Sequence, residues 1–309
     1  MQMSFQLLNR FSRSAGARGL LAACLIAGPA FAQEAGDGWT RFKLSSARLI
    51  AAPAGAGWRA GVEIRLDPDV LTYWRTPGDA GAPPEFDFSA SENIAAPTVR
   101  FPAPTRFLED GLTVFGYRDD VVFPLDVRLK DPRKPAKLSL ALHYAVCGKI
   151  CVPVAAKLEL SLPPPGAAGE HEERLAAALA QTPRLLDATE RARVASLTRE
   201  AGAAQPTWRL QLRQGGTSDA ANPEDARPAG AEPGAVADLF AEAPPGWFFE
   251  TRPGETPGEF LIVQSERPDG AQRASVVLTL VGPQAYEFAV ELDARPSVAD
   301  GAPKGEETQ

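Results

Sequence analysis

The stretch that decides the fold reads LSLALHYAVCGKICVP and covers residues 138–153. Apolar residues alternate along it with small or polar ones, which is the period of two expected of a half-buried β-strand. Gly148 and Lys149 can turn the chain, and Val152 begins a return strand. We therefore predict a β-hairpin with Cys147 and Cys151 at its closed end, on the face opposite the leucines.

Further strand patterns surround this hairpin. Period-two alternation or short apolar runs cover residues 58–66, 86–88, 121–129, 158–162, 207–212, 260–263, 275–281 and 286–292. Many short strands separated by proline and glycine are typical of β-sandwiches. The sequence therefore predicts a mainly β protein, with an immunoglobulin-like sandwich followed by a second, smaller sandwich.

The chain divides into five predicted segments. They are a signal peptide at residues 1–32, an immunoglobulin-type domain at 39–165, a helical connector at 166–200, a second β-sandwich at 206–295 and a disordered tail at 296–309. The second sandwich contains no cysteine or histidine, so we expect it to be structural or to bind a partner.

Two helices are predicted within the connector. Residues 171–180 place Leu175 and Leu179 on one face, and residues 184–198 follow a proline that suits the first turn of a helix. Residues 215–235, rich in Gly, Pro, Ala and Asp, predict a mobile loop with little to bury.

The N-terminus predicts export. Residues 1–18 contain three arginines and no acidic residue, an apolar run follows, and Ala-Phe-Ala at residues 30–32 is a small-x-small cleavage site. A lipoprotein anchor at Cys24 is the alternative, disfavoured by the short apolar run before it. We expect a periplasmic protein without membrane insertion, in a compartment where disulfides persist.

The net charge of the full chain is −7 at pH 7. An acidic surface disfavours binding to nucleic acid and to anionic membranes. The sequence also contains no glycine-rich phosphate loop and no serine nucleophile elbow, so the cysteine pair is the main candidate for chemistry.

Cys147 and Cys151 leave three interpretations open. A structural disulfide would close so short a loop that it stabilises less than the roughly 3 kcal/mol of a fifteen-residue loop. A redox pair fits because short, exposed bridges are more easily reduced, and Lys149 between the sulfurs favours a thiolate. A soft ligand set for copper(I) or zinc would need His143 as well. That set is disfavoured because no methionine follows residue 3 and the chain has two histidines.

Four motifs make the sequence resemble a known family. They are YWRTPGDAG at residues 73–81, FPAP at 101–104, FGY at 115–117 and CGKICVP at 147–153. In this order they resemble the N-terminal periplasmic domain of the DsbD/ScsB thiol:disulfide reductases, over roughly residues 40–165. The resemblance implies an immunoglobulin-like fold and favours the redox interpretation.

The resemblance also implies roles and partners. Cys151 would bond to partner sulfurs, and Cys147 would resolve the mixed disulfide. The implied partners are periplasmic thioredoxin-like proteins or disulfide isomerases, with a membrane-embedded reductase module as electron donor. The exchange takes place between sulfur atoms, so no cofactor and no metal are expected.

A cap over the pair is implied as well. The cap loop should fall at residues 114–116, with Phe115 or Val114 as its lid. Tyr73, Trp74 and Tyr117 would line the same pocket.

The chain departs from the family pattern in two respects. Its cysteines are separated by three residues rather than five, closer to the ScsB type that is associated with copper tolerance. The sequence also ends without a membrane module or a terminal thioredoxin domain, so we expect a separate electron donor. The rival function is a non-catalytic interaction or copper-handling module, in which the pair is structural or ligates metal.

Overall fold

The computed structural model of the protein describes residues 38–54, 57–162, 170–213 and 238–295. The predicted signal peptide, the loop predicted at residues 215–235 and the predicted tail at 296–309 lie outside these ranges. The described residues form 19 strands and two short helices. This confirms the predicted mainly β fold class.

Two sheets form the first part of the chain. Their strands are β1 (Thr40–Arg41), β2 (Ser45–Ala54), β3 (Gly57–Leu66), β4 (Leu71–Gly78), β5 (Glu85–Asp87), β6 (Thr98–Val99), β7 (Thr105–Glu109), β8 (Leu112–Arg118), β9 (Val121–Asp126), β10 (Ala136–Cys147) and β11 (Cys151–Leu162). One sheet has the order β1-β2-β3-β9-β6, the other β11-β10-β4-β8-β7, with β5 paired to β10. Both contribute to one hydrophobic core, which includes Ile64, Phe123 and Leu142. This is the immunoglobulin-like sandwich.

Two helices and eight strands form the second part. They are α1 (Glu172–Ala180), β12 (Arg184–Leu185), α2 (Ala188–Val194), β13 (Ala195–Arg199), β14 (Thr207–Leu212), β15 (Asp238–Glu242), β16 (Phe248–Pro253), β17 (Glu259–Glu266), β18 (Arg273–Val281) and β19 (Tyr286–Asp293). The strands make two four-stranded sheets, β12-β19-β18-β15 and β13-β14-β17-β16. Leu210, Ile262 and Leu278 lie in the core that these sheets share. No helix in the described ranges is long and apolar enough to cross a bilayer.

Helix α1 lies where it was predicted but buries a different face. Leu175 is fully buried and packs with Ala178 against Ile50 and Val122, whereas Leu179 is 36% exposed. Residues three apart share a helix face as readily as residues four apart. The small Ala178 side chain therefore takes the inner position that the pattern assigned to Leu179.

The second predicted helix, at residues 184–198, was wrong at both ends. Helix α2 begins only after Asp187, whose carboxylate caps it in a capping box with Glu190. Before the cap, β12 pairs in parallel with β19, and after the helix β13 pairs with β14. These partners are distant in sequence or follow later in the chain, so local periodicity could not reveal them.

Phe240 of β15 joins the two parts of the chain. It is fully buried and belongs to the core of the first sandwich. Its ring lies 5.8 Å from that of Trp74 and 4.9 Å from that of Phe115, both in edge-to-face contact. The second part is therefore packed against the face of β4 and β8 that carries these two aromatic side chains.

Ion pairs border this contact. The Arg106 guanidinium on β7 donates to both carboxylate oxygens of Asp238, at 2.8 and 2.9 Å. The Arg75 guanidinium on β4 donates to Glu242 at 2.5 and 2.8 Å and also to Glu287. Both arginines come from the sheet that contains the cysteine hairpin, so charge and apolar packing act on the same strands.

Candidate functional site

The predicted cysteine hairpin is confirmed. Strands β10 and β11 pair along their whole length, so that Cys147 lies directly opposite Cys151. The two residues form a disulfide with their Cα atoms 4.1 Å apart. The turn between them is closed by a hydrogen bond from the Gly148 amide to the carbonyl of Ile150, at 3.2 Å.

The two cysteine residues differ in their exposure to solvent. Cys147 is 8% exposed because its strand lies between β11 and β4, where it pairs with Leu71. Cys151 is exposed, since it starts the edge strand of the sheet, and Ile150 beside it is 54% exposed. An incoming sulfur atom can therefore approach Cys151 from solvent, with Cys147 behind it.

A small apolar cluster covers Cys147. Its buried members are Leu71, Tyr73 and Val114, and the partly buried Phe107 packs against them. The Tyr73 hydroxyl donates a hydrogen bond to the sulfur of Cys147, at 3.0 Å. Of the five residues expected around the pair, the structure brings Tyr73 and Val114 into this cluster.

The other three expected residues lie on the opposite face of the sheet. Trp74 is fully buried in the sandwich core and touches Phe240. Phe115 packs against Phe240 as well, rather than over the disulfide. Tyr117 is buried in the core, where its hydroxyl donates to the Pro102 carbonyl at 2.8 Å. Burial raises the pKa of Tyr117 well above the usual value, which keeps this donor protonated.

Strand geometry explains this division. Neighbouring residues in a strand point to opposite sides of the sheet, so Tyr73 and Trp74 cannot both face the disulfide. The same holds for Val114 and Phe115 on β8. Val114 and Phe107 therefore pack on the side of the sheet that carries Cys147, and Phe115 contacts Phe240 on the other side.

Sequence reasoning missed two contributors to the site. Phe107 pairs with Val114 across β7 and β8, and Leu71 pairs with Cys147 across β4 and β10. Residues directly opposite each other in a sheet share one face. Had the register of these strands been known, the alternation of β7 and β4 would have identified both residues.

Two motif glycines hold the Tyr73 ring in place. A Cβ atom on Gly81, whose φ is +109°, would lie 2.2 Å from Cε1 of Tyr73, and one on Gly116 would lie 2.1 Å from the Thr72 carbonyl oxygen. Only glycine tolerates the first conformation and both close approaches. The glycines of the YWRTPGDAG and FGY motifs therefore position the phenol beside the cysteines.

Charged groups surround the phenol without contacting the sulfurs. Burial, and secondarily the negative charge of Glu109, raises the pKa of Tyr73 above its usual value. Glu109 accepts a hydrogen bond from Arg118 at 2.5 Å, and the Arg118 guanidinium lies 4.5 Å from the centre of the Phe107 ring. The phenol therefore stays a proton donor over the pH range in which thiols titrate.

The ligand set His143, Cys147 and Cys151 is not assembled. His143 is exposed on β10, 3.9 Å from a carboxylate oxygen of Glu85. Four residues of extended strand separate it from Cys147, a span of about 13 Å. In the described ranges, no group of three or more His, Cys, Asp or Glu side chains is arranged to hold a metal ion.

Comparisons with known proteins show a family match for part of the chain and a shared fold. Residues 43–163 match the family described as "Thiol:disulfide interchange protein DsbD, N-terminal". The N-terminal periplasmic domain of ScsB from Proteus mirabilis shares the fold: its crystal structure superposes with a TM-score of 0.60 at 19% identity, over 83% of this chain and 98% of that one.

Two further comparisons identify no related protein. A structure containing manganese lipoxygenase of Gaeumannomyces graminis and part of zonadhesin of Komagataella pastoris aligns at a TM-score of only 0.19 and 11% identity. No curated protein sequence matches significantly.

The family match includes the whole hairpin, and the fold match extends beyond it into the second part of the chain. The Cys147–Cys151 disulfide lies at the end of that hairpin. Over residues 43–163 the chain therefore matches the N-terminal domain of the DsbD thiol:disulfide interchange proteins, and the disulfide hairpin lies within that match.

Proposed function

We propose that the protein is a periplasmic thiol:disulfide oxidoreductase that passes reducing equivalents through the Cys147/Cys151 pair to thioredoxin-like partners. The observation that carries the proposal is the unequal exposure of the two cysteine residues. Cys151 opens to solvent at the start of an edge strand, whereas Cys147 is 8% exposed. Exchange through a mixed disulfide needs one accessible sulfur and one sheltered sulfur within bonding reach.

The proposed reaction has two steps. In the reduced protein, the Cys151 thiolate attacks a partner disulfide, forming a bond between Cys151 and one partner sulfur while the other leaves as a thiolate. The Cys147 thiolate then attacks Cys151, which re-forms the intramolecular disulfide and releases the second partner thiolate. Two electrons pass to the partner, and a donor dithiol protein restores the reduced pair.

The match to the DsbD N-terminal domain supports a proposal for the donor and the acceptors. We propose a separate membrane reductase module as the donor, and thioredoxin-like proteins or disulfide isomerases as acceptors. Ile150 and Leu112, which are 54% and 46% exposed, lie at the ends of the hairpins that carry Cys151 and Val114 and suit an apolar contact with such partners. Export by the predicted signal peptide would place the protein in the periplasm.

Trapping of the mixed disulfide tests this proposal. In a Cys147→Ser variant the outer sulfur remains, and no inner thiol can resolve the intermediate. The probe is a purified periplasmic thioredoxin-fold protein whose second active-site cysteine is replaced by serine and whose first carries a thionitrobenzoate group. The Cys151 thiolate should displace thionitrobenzoate and leave a stable one-to-one adduct. We expect at least about tenfold less adduct with Cys151→Ser, because its remaining sulfur is buried. Non-reducing electrophoresis and intact mass spectrometry measure the adduct.

The same experiment can contradict the proposal. Equal adduct formation by the two variants would reverse or abolish the assigned roles of the sulfurs. No adduct with Cys147→Ser, while its thiol still reacts with a small alkylating reagent, would show that the pair does not exchange with this class of protein.

A further inference from the structure

The Tyr73 hydroxyl contacts both sulfurs of the pair. Its oxygen lies 3.0 Å from Sγ of Cys147 and 3.9 Å from Sγ of Cys151. Only the shorter contact has the length of a good hydrogen bond to sulfur, and there the phenol is the donor. Tyr73 is 5% exposed, so water does not compete strongly for this donor.

The ring that carries this hydroxyl is fixed on several sides. Leu71 and Val114 pack in the same buried cluster, and Gly81 leaves space that any side chain would fill. Strand β4 pairs with β8 directly at Tyr73, opposite Gly116. The phenol is thus pre-organised, and little conformational entropy is lost when it bonds to the sulfur.

We propose that Tyr73 is a positioning residue for Cys147: its hydroxyl donates a hydrogen bond to the inner sulfur, stabilises the thiolate formed there on reduction and directs that thiolate towards Cys151. The claim that Tyr73 directs the thiolate towards Cys151 rests on the proposed function, because it concerns the resolution of a mixed disulfide. In that step the Cys147 thiolate attacks Cys151 and the partner leaves as a thiolate. Tyr73 keeps its proton throughout.

The hydrogen bond from Tyr73 should affect the pKa of the Cys147 thiol. A hydrogen bond to an anion is about twice as strong as one to a neutral acceptor, so we expect removal of the hydroxyl in Tyr73→Phe to raise the pKa of the Cys147 thiol by about one unit. Charged residues also lie on the segments around Cys147. They are Asp69 and Asp79 at the two ends of β4, Glu109 on β7, Arg118 on β8 and Lys149 in the hairpin turn, and all remain in a Tyr73→Phe variant.

Removal of the hydroxyl should therefore give a rate change that reverses with pH. Below the thiol pKa, Tyr73→Phe has about tenfold less Cys147 thiolate, but that thiolate is about threefold more nucleophilic because its pKa is higher. The net effect is about threefold slower resolution near neutral pH. Above both pKa values the thiolate is fully formed, and Tyr73→Phe should resolve about threefold faster than the unsubstituted protein.

The experiment compares Tyr73→Phe with Tyr144→Phe. Tyr144 is also buried, but it lies in the sandwich core on the face of β10 opposite Cys147, where its hydroxyl bonds to that of Ser45 at 2.7 Å. In a Cys151→Ser background, the pH dependence of iodoacetamide alkylation gives the pKa of Cys147. We expect an upward shift of about one unit for Tyr73→Phe and none for Tyr144→Phe.

A second measurement follows resolution itself. The reduced protein reacts with 5,5′-dithiobis(2-nitrobenzoate) at Cys151, and attack by Cys147 then releases a second thionitrobenzoate, which stopped-flow absorbance detects. The resolution rate of Tyr73→Phe should be lower than that of the unsubstituted protein at neutral pH and higher at alkaline pH. A merely structural defect would change the rate in one direction at every pH.

An unshifted Cys147 pKa in Tyr73→Phe would overturn the proposal, and so would a rate ratio that does not reverse with pH. Failure of the proposed function has a different signature: no mixed disulfide would form with a thioredoxin-fold protein. The alkylation measurement does not depend on that partner, so the two failures are distinguishable.

Discussion

Replacement of Phe240 by alanine is expected to lower the free energy of unfolding by about 3–5 kcal/mol, the usual cost of removing a fully buried phenylalanine. Phe240 is carried by β15 yet is buried in the core of the other sandwich, against Trp74 and Phe115. The cavity would open between the two parts of the chain. Neither part can fill it alone, because each contributes only one wall.

Denaturant unfolding of Phe240→Ala beside Phe248→Ala measures this effect. Phe248 is 56% exposed on β16, so its truncation should change stability by no more than about 0.5 kcal/mol. Similar small losses for both variants would contradict the packing described here. Hydrogen exchange of the β8 amides should also increase in Phe240→Ala, because Phe115 would lose its contact.

Replacement of Arg75 by methionine is expected to cost about 2–3 kcal/mol. The guanidinium bonds to Glu242 and Glu287, and all three side chains are between 17% and 26% exposed. Without the cation, two partly buried carboxylates would face each other, which costs more than the loss of a surface ion pair. The residual exposure keeps the cost below that of a fully buried pair. These carboxylates raise the pKa of Arg75 further although burial lowers it, so the cation is permanent.

Arg100→Met provides the matched control for Arg75→Met. Arg100 also pairs with a carboxylate, that of Asp126, but both side chains are 40–50% exposed. Such pairs contribute at most about 1 kcal/mol. Thermal or denaturant unfolding of the two variants should differ by more than the experimental error, and equal losses would show that the Arg75 cluster is not a special link between the two parts.

The cysteine hairpin could be predicted because its information is local. Alternation along residues 138–146 established the strand and put Cys147 on the face away from the leucines, and the structure has this arrangement. The difference in exposure between Cys147 and Cys151 could not be predicted from local sequence. It depends on β4 pairing beside Cys147 and on β11 being an edge strand, and these pairings join residues far apart in sequence.

The cap was only partly predictable for the same reason. The motifs identified the right segments, residues 73–81 and 115–117, but a motif does not state which side of a sheet each residue faces. Trp74, Phe115 and Tyr117 are one position out of phase with Tyr73 and Val114 and so belong to the core side. The partner of Phe115 on that side is Phe240, which belongs to the second part of the chain and could not be identified from the motif.

The helix prediction failed where long-range pairing overruled local pattern. Residues 184–185 and 195–198 lie within the predicted helix 184–198, yet their backbones pair with β19 and β14. Strand β15, which carries Phe240, was not predicted, because five residues between a stretch rich in Gly, Pro and Ala and a proline pair carry little periodic signal. The contact of Phe240 with the first sandwich could therefore be identified only from the tertiary structure.

Together these contacts relate the two sides of one sheet. Tyr73 and Val114 face the disulfide, while Trp74 and Phe115, their neighbours in sequence, face the second part of the chain. The same two strands thus hold the phenol against Cys147 and carry the contacts to Phe240. The residues that pack on Cys147 and the residues that contact Phe240 therefore lie on opposite faces of the same two strands.

The central claim, that the Cys147–Cys151 disulfide is exchangeable rather than a structural staple, is tested most directly by equilibration of the folded protein in glutathione buffers of graded ratio. Alkylation of free thiols followed by intact mass spectrometry gives the reduced fraction at each ratio. The account predicts a reversible transition with a midpoint above about −300 mV, the range of labile and catalytic disulfides. A bridge that stays oxidised in the folded protein at the most reducing ratio, and is reduced only after unfolding, would contradict it.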